Sequence, residues 1–424
     1  MKRVVVIGAG AAGLAALRSL VSDSNKLHYV AYERSDKVGG TWILDDPYKP
    51  TSMYNQLRTN LPKEVMAFPG FPFSDKIYES FIGHKDVLDY LESFAQHYQL
   101  HKYIKFRHAV LEVDPVLGAD GVTQWNVTEE DCETGVQSTQ KFDSVIVCNG
   151  HYTEPLVPDI KGRTSFTGEI MHSHYYRSPI KYKGKVVLVF GSGPSGKEIT
   201  AELLPHASKV YLSHNRIGTQ FTPTHRQVLE VAGVDSITGD DIHLIDGSIV
   251  HADMIILTTG YRYAFPFLSA KCRPVIEDEH VSHIYQMLRD IKHPSLYYIG
   301  LNKALVPFPQ FACQADYIVG CITGRIAQET QENMERSYQE KRDRTVKERG
   351  RLKLFHDMRA EQWPYNDQLA IASGMQTLPN WMKELDKRVL HQRKSNLRGY
   401  KNAVYRLSED QKIITLNTAT NLQS

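Results

Sequence analysis

One short construction occurs twice in this chain: an apolar run, three glycines spaced Gly-x-Gly-x-x-Gly, then a helical period. The first copy is Val4-Val5-Val6-Ile7 followed by Gly8, Gly10 and Gly13. The second is Val186-Val187-Leu188-Val189-Phe190 followed by Gly191, Gly193 and Gly196, with Ser195 just before the last glycine. Continuous apolar strands suit a parallel sheet covered on both faces. In such a turn the first glycine permits the tight bend and the second lets backbone N–H groups approach a diphosphate. The third lets the helix pack against the strand. One copy alone is a weak signal; two predict an α/β chain with two Rossmann-like dinucleotide-binding domains.

The two copies differ in the residues downstream of the turn. After the first, Leu14, Leu17 and Val21 recur at helical spacing, and the strand Tyr29 to Tyr32 ends at Glu33. A carboxylate at that tip is placed to accept hydrogen bonds from the ribose of an adenosine, and the helix N-terminus favours the diphosphate. Lys37-Val38-Gly39-Gly40-Thr41-Trp42 adds a second glycine pair, which lets backbone lie against a flat ring system. After the second copy, the strand Lys209 to Leu212 ends in Ser213-His214-Asn215-Arg216, with no acid nearby in the sequence. An acid would repel a 2′-phosphate and an arginine pairs with it, so the second site favours NADPH over NADH.

Charge is close to balanced, with 50 Lys+Arg against 48 Asp+Glu, which gives no global field for nucleic acid or an anionic membrane. The five cysteines form no Cys-x-x-Cys and no zinc spacing, so reduced, mostly buried thiols and no metal site are expected. No apolar run approaches a membrane span. The start, MKRVVVIGAG, enters a strand directly, so a cytoplasmic protein without a membrane anchor is expected. Secretion would require a leader trimmed ahead of Met1, and a homo-oligomer stays open. Gly83 to Leu100 predicts a helix, and residues 54–62 (YNQLRTNLP) an irregular loop. The segments 144–150 and 252–261 each read as a strand closing in a glycine turn. From about residue 328 mixed charges predict exposed helix; Lys387 to Lys401 reads as a solvated basic face, and TLNTATNLQS as a frayed end.

Between the fingerprints stands Phe166-x-Gly168-xxx-His172-xxx-Tyr176. With GAGAAG and Glu33, KVGGTW, LRTNLP, VCNGH, GSGPSG, LTTGY and FPQFACQA, it resembles the flavin-containing monooxygenases over about residues 1–330. Baeyer–Villiger monooxygenases share the architecture, but their signature has a tryptophan followed by Pro or Asp where Tyr176-Arg177 stands here. Overall likeness points to the soluble insect members, some of which N-oxygenate pyrrolizidine alkaloids. The resemblance implies FAD at the first site, bound by Gly8, Gly10, Gly13, Glu33, Gly40, Thr41, Trp42, Thr59 and Asn60. It implies NADPH at the second, bound by Gly191, Gly193, Ser195, Gly196, Ser213 and Arg216. Asn60 would lie over the flavin and act in catalysis, Gln314 would border flavin and nicotinamide, and His172 and Tyr176 would hold the link between domains.

The implied organisation is an FAD-binding domain of residues 1–165 and 293–424, with a helical tail from about 328, interrupted by an NADPH-binding domain at 166–292. The implied activity is NADPH- and dioxygen-dependent N- or S-oxygenation of a small amine or sulfide through a flavin hydroperoxide. The alternatives are a Baeyer–Villiger-type monooxygenase and a non-catalytic FAD/NADPH-binding sensor. A dithiol reductase would need a closely spaced redox cysteine pair, which Cys313 and Cys321 do not make.

Overall fold

The computed structural model describes residues 1–23, 27–118, 123–215, 227–396 and 399–416. Two parallel sheets organise it, each built around one of the fingerprint strands. In the first, strand Lys2–Ile7 pairs in parallel with Leu27–Glu33 on one side and Ser144–Val147 on the other. Val4, Val5 and Val6 are fully buried because helices and a second layer cover both faces. Ile104–Phe106 extends this sheet at one edge; at the other, Leu296–Tyr298 pairs in parallel with Ser144–Val147, so the chain returns here after building the second sheet. The return begins before residue 293: the short strands Ile284–Tyr285 and Arg289–Asp290 already belong to the seven-stranded sheet.

The second sheet centres on Val186–Phe190, flanked by Lys209–His214 and Met254–Leu257, with Val228–Ala232 and Glu169–His172 at its edges. Every pairing in it is parallel. Two chain segments cross between the sheets, and they pair with each other as Glu154–Pro155 against Tyr261–Arg262. The two residues paired at each strand make a narrow, stiff link that Pro155 keeps from widening.

The helices match their sequence signals. His84–His97 starts after Gly83, whose N–H donates to Asp86 Oδ2 at 3.1 Å, and it buries Val87, Leu91 and Phe94. Gln331–Arg349 is capped by Thr330, which accepts from the Asn333 N–H, and it ends at Gly350 with φ +70. The five cysteines are free thiols, four buried and Cys132 half-buried. No helix among the described residues is long and apolar enough to cross a membrane. Two expectations for the C-terminal region need correction. Thr415 and Leu416 belong to a strand, Ile413–Leu416, paired with Val404–Leu407 rather than frayed. Lys401 is half-buried in an ion pair with Glu198, not solvated.

Candidate functional site

The first fingerprint closes into a slot. Gly8 turns at φ +101, and a side chain there would meet the Cys148 carbonyl at 2.7 Å. Gly13 has no room for a side chain either: its Cβ position lies 1.9 Å from the Gly8 carbonyl, so helix Ala11–Ser22 sits directly on the strand. Across the slot, the Cβ position of Gly10 is 3.4 Å from the Gly40 Cα, and that of Gly40 (φ +57) is 3.0 Å from the Gly10 Cα. Two backbones thus face each other with no side chain between. Helix Ala11–Ser22 has no side-chain cap and no acid in its first turn, so its leading N–H groups are left for an anion. This donor set fits a diphosphate.

Glu33 stands at the strand tip as expected, but its carboxylate is already engaged. Oε2 accepts from the Ala9 N–H at 2.6 Å and Oε1 from the Ser35 N–H at 2.8 Å. Burial pushes its pKa up, and these two N–H donors pull it back down. Thr41 and Trp42 lie in a single turn, Gly40–Trp42; the Thr41 hydroxyl is 3.1 Å from that of Ser52, and the Trp42 ring meets Phe308 edge-on at 6.4 Å.

The loop bearing Thr59 and Asn60 is irregular, as its sequence predicts, yet firmly tied. The Thr59 N–H donates to the Ile82 carbonyl at 2.8 Å and its Oγ1 accepts from the Ile82 N–H at 3.1 Å. Asn60 comes next, half-buried.

The second fingerprint has the same turn but, among the described residues, no facing wall. Gly191 (φ +123) and Gly196 pack as tightly as their counterparts, against the Thr258 carbonyl and the Gly191 carbonyl respectively. A Cβ on Gly193 would meet nothing within 4 Å, and Gly193 and Ser195 are exposed at an uncapped helix start, Pro194–Leu203.

The strand tip beyond it departs from expectation. Ser213 is fully buried and its hydroxyl donates to the Ala232 carbonyl at 2.7 Å, because strand alternation turns it inward. An acid is present after all: Glu230, on the neighbouring parallel strand, lies 3.6 Å from His214 Nε2. Arg216 lies outside the described residues.

The Phe166–Tyr176 signature lies in the second unit beside the link, and its segment Glu169–His172 is an edge strand of the five-stranded sheet. A Cβ on Gly168 would strike the Asp253 carbonyl at 2.3 Å and the Phe166 ring at 2.6 Å, so only glycine lets this segment lie against the sheet. His172 Nδ1 accepts the His174 N–H at 3.1 Å, and the His172 ring meets Tyr261 edge-on. Tyr176 is fully buried and donates to Glu202 Oε2 at 2.9 Å. Burial holds the imidazoles of His172 and His151 down at about 4 and lowers that of His174, so all three are neutral near pH 7.

Gln314 is fully buried with its amide satisfied within the protein. Oε1 accepts from the Gly300 N–H at 3.2 Å, and Nε2 donates to Asn302 Oδ1 at 2.9 Å and to the Tyr365 hydroxyl at 3.0 Å. One turn earlier on the same helix, Pro307–Thr323, Gln310 is just as buried, and neither atom of its amide has a partner among the described residues. A buried amide without a partner costs on the order of 1–3 kcal/mol, which a bound group would relieve. The motif FPQFACQA contained both glutamines; spacing alone could not say which amide is free. No cluster of metal-ligating side chains occurs among the described residues.

Comparison with known proteins agrees with this geometry. A family described as FMO-like, flavin-binding monooxygenase-like, matches residues 1–222 and 227–388. Flavin-containing monooxygenase FMO GS-OX-like 4 of Arabidopsis thaliana is 33% identical over 411 residues, 90% of this chain and 89% of that protein. The structure of S-allyl-L-cysteine S-oxygenase from Allium sativum superposes with a TM-score of 0.88 at 30% identity, covering 95% of each chain. Cyclohexanone monooxygenase, at 14% identity and a TM-score of 0.61 over 88% of this chain and 98% of that one, shares the fold.

Proposed function

Because the chain belongs to the flavin-binding monooxygenase-like family, we propose that it oxygenates a soft nucleophile, a tertiary amine or a sulfide, at nitrogen or sulfur. It is a flavin-dependent monooxygenase, and its cofactors are FAD and NADPH. The reading assigns FAD to the unit built on the seven-stranded sheet and NADPH to the inserted unit built on the five-stranded sheet. Gly8, Gly10, Gly13, Glu33, Gly40, Thr41, Trp42, Thr59 and Asn60 would hold the first cofactor. Gly191, Gly193, Ser195, Gly196 and Arg216 would hold the second.

Held by these residues, the flavin and nicotinamide would supply the hydride transfer and dioxygen activation that the protein's side chains cannot. The remaining tasks fall to the chain. The glycine slot would hold the diphosphate at the helix N-terminus, and the Asn60 amide would offer the flavin a hydrogen-bond donor. Gln314, its own amide taken up by Gly300, Asn302 and Tyr365, would fix the helix that carries Gln310.

The observation that carries this reading is the state of the link histidines. His172 is engaged with the backbone of His174, and His172, His174 and His151 are held neutral by burial. A lone pair attacking an electrophilic oxygen requires no proton to be taken from the substrate, so a site whose buried imidazoles are weak bases suits it. Amine and sulfide are both kept because the notable structural relative is an S-oxygenase, whereas likeness to the insect alkaloid N-oxygenases rests on general resemblance.

The test supplies NADPH and 18O2 with a tertiary amine, a thioether and a cyclic ketone in parallel. One labelled oxygen in the N-oxide or sulfoxide is expected. An ester from the ketone alone, or NADPH oxidation with no labelled product from any of the three, would overturn the proposal.

A further inference from the structure

The loop of residues 54–61 belongs to both units at once. Its first half is part of the core of the second: Tyr54 packs with Tyr176, Val187, Val189 and Ile199, with Leu57 against them, and the Asn55 N–H donates to the Arg177 carbonyl at 3.0 Å. Its second half is bound to the first unit through Thr59 and Ile82, and through Arg58 Nε, which donates to the Phe81 carbonyl at 3.0 Å. Asn60 lies just past the crossing.

At the crossing sits a residue from far along the chain. Lys401 Nζ donates to the Arg58 carbonyl at 2.8 Å and pairs with Glu198 Oε2 at 3.0 Å. In return, Arg58 donates from its guanidinium to the Lys401 carbonyl at 2.7 Å, across 343 positions of sequence. Glu198 lies on helix Pro194–Leu203, the helix that opens at the second fingerprint, and the Tyr54 hydroxyl donates to the same Oε2 at 3.4 Å.

We propose that Lys401 is a positioning residue: from the C-terminal extension it fixes the NADPH-side helix, through Glu198, to the loop that carries Asn60. The inference rests on the reading that Asn60 faces the flavin.

The pair is desolvated, with 16% and 17% of the two side chains exposed, so it is not a solvent-screened surface contact. Burial lowers the pKa of the Lys401 ammonium and the Glu198 charge raises it again, as expected for a pair that is stable only together. The second Glu198 oxygen, Oε1, is buried without a hydrogen-bond partner among the described residues, so Lys401 and Tyr54 supply the hydrogen bonds to this carboxylate. Removing one partner of such a pair leaves an uncompensated buried charge; removing both is far better tolerated. The informative variant is therefore the double change Lys401→Met with Glu198→Gln, with Lys401→Arg as the conservative partner.

Three quantities are measured on FAD-loaded protein: flavin content, the Kd for NADP+ from its perturbation of the flavin absorbance, and hydrogen peroxide released per NADPH oxidised. In the double variant we expect unchanged flavin content, a Kd weaker by about five- to tenfold, as for coupled contacts of this kind, and a larger peroxide fraction. Lys401→Arg, which can still bridge a carboxylate and a carbonyl, should recover most of both changes. A double variant that folds, keeps its flavin, and binds NADP+ and couples like the unmodified protein would overturn the proposal. If the unmodified protein makes no oxygenated product, the function proposed above fails instead, while the NADP+ affinity still decides the role of Lys401.

Discussion

The two glycine fingerprints share spacing, strand register and an uncapped helix start, yet one is a slot and the other a shelf. Gly10 faces Gly40 at backbone contact, whereas Gly193 faces open space among the described residues. At the first turn the wall is 37-KVGGTW-42, which folds Gly39 and Gly40, both at positive φ, over it; the sequence after the second strand tip, residues 215–226, contains no glycine pair. A diphosphate gripped between two backbones can leave only if that wall moves, while one resting on a helix start can leave directly. On the assignment proposed above, the same motif would serve a resident cofactor at one site and an exchanging one at the other, as a flavoprotein that consumes NADPH requires.

The comparison breaks most visibly at its middle glycines. Gly10→Val places a branched side chain against Gly40, so the purified protein should contain almost no flavin by absorbance. Gly193→Ala adds a methyl where no described residue stands within 4 Å, so flavin content should be unchanged. Equal flavin loss in both would mean that the two turns are not different in kind.

Next in size is the nicotinamide specificity of the shelf. Arg216→Ala should reduce the preference for NADPH over NADH by about ten- to a hundredfold in kcat/KM, the value of a charge-assisted contact of roughly 1.5–3 kcal/mol. Glu230→Gln sharpens this: with the neighbouring acid neutralised, NADPH should be favoured further, and an unchanged ratio would remove Glu230 from the site.

Asn60 probes the slot side. Asn60→Ala should keep FAD and its reduction by NADPH, while product per NADPH falls about fivefold or more, as for loss of one hydrogen bond to a ligand, with the remainder appearing as hydrogen peroxide. Full coupling in that variant would make Asn60 a turn residue only.

The smallest effect is a pH dependence at the junction of slot and shelf. Burial pushes the Glu202 carboxyl up to about 7, with the Tyr176 hydroxyl opposing and the Glu198 charge adding to the rise. A pKa raised on folding means that the native state holds the proton more tightly. Its stabilising contribution is complete below about 4.5, declines as pH rises from there, and is gone above about 7. In Glu202→Gln the melting temperature should lose that part of its decline between pH 4.5 and 7, a change visible by calorimetry.

What the sequence made legible was local. Strand, turn and helix at both fingerprints are fixed by neighbours a few residues apart, so apolar runs and glycine spacing placed them, and Glu33 with them. The linker role expected of His172 and Tyr176 came from the family resemblance and not from local spacing. Contacts between distant segments were hidden. Glu230 reaches His214 only through parallel register, and Lys401 meets Arg58 only once both sheets exist. Composition gave Lys401 a solvated face because lysine is usually exposed; only the fold supplies the buried carboxylate that overrides this. For Ser213, the strand carried two residues further than expected, to His214, so Ser213 falls inside the strand and its alternation turns the side chain inward.

The unequal grip of the two sites is tested most directly by passing the protein, saturated with FAD and NADP+, through a desalting column and quantifying both nucleotides in the protein peak. The slot-and-shelf account predicts about one FAD per chain retained, as expected of a slow off-rate, with NADP+ almost wholly removed. Retention of both nucleotides, or loss of both together, would contradict it.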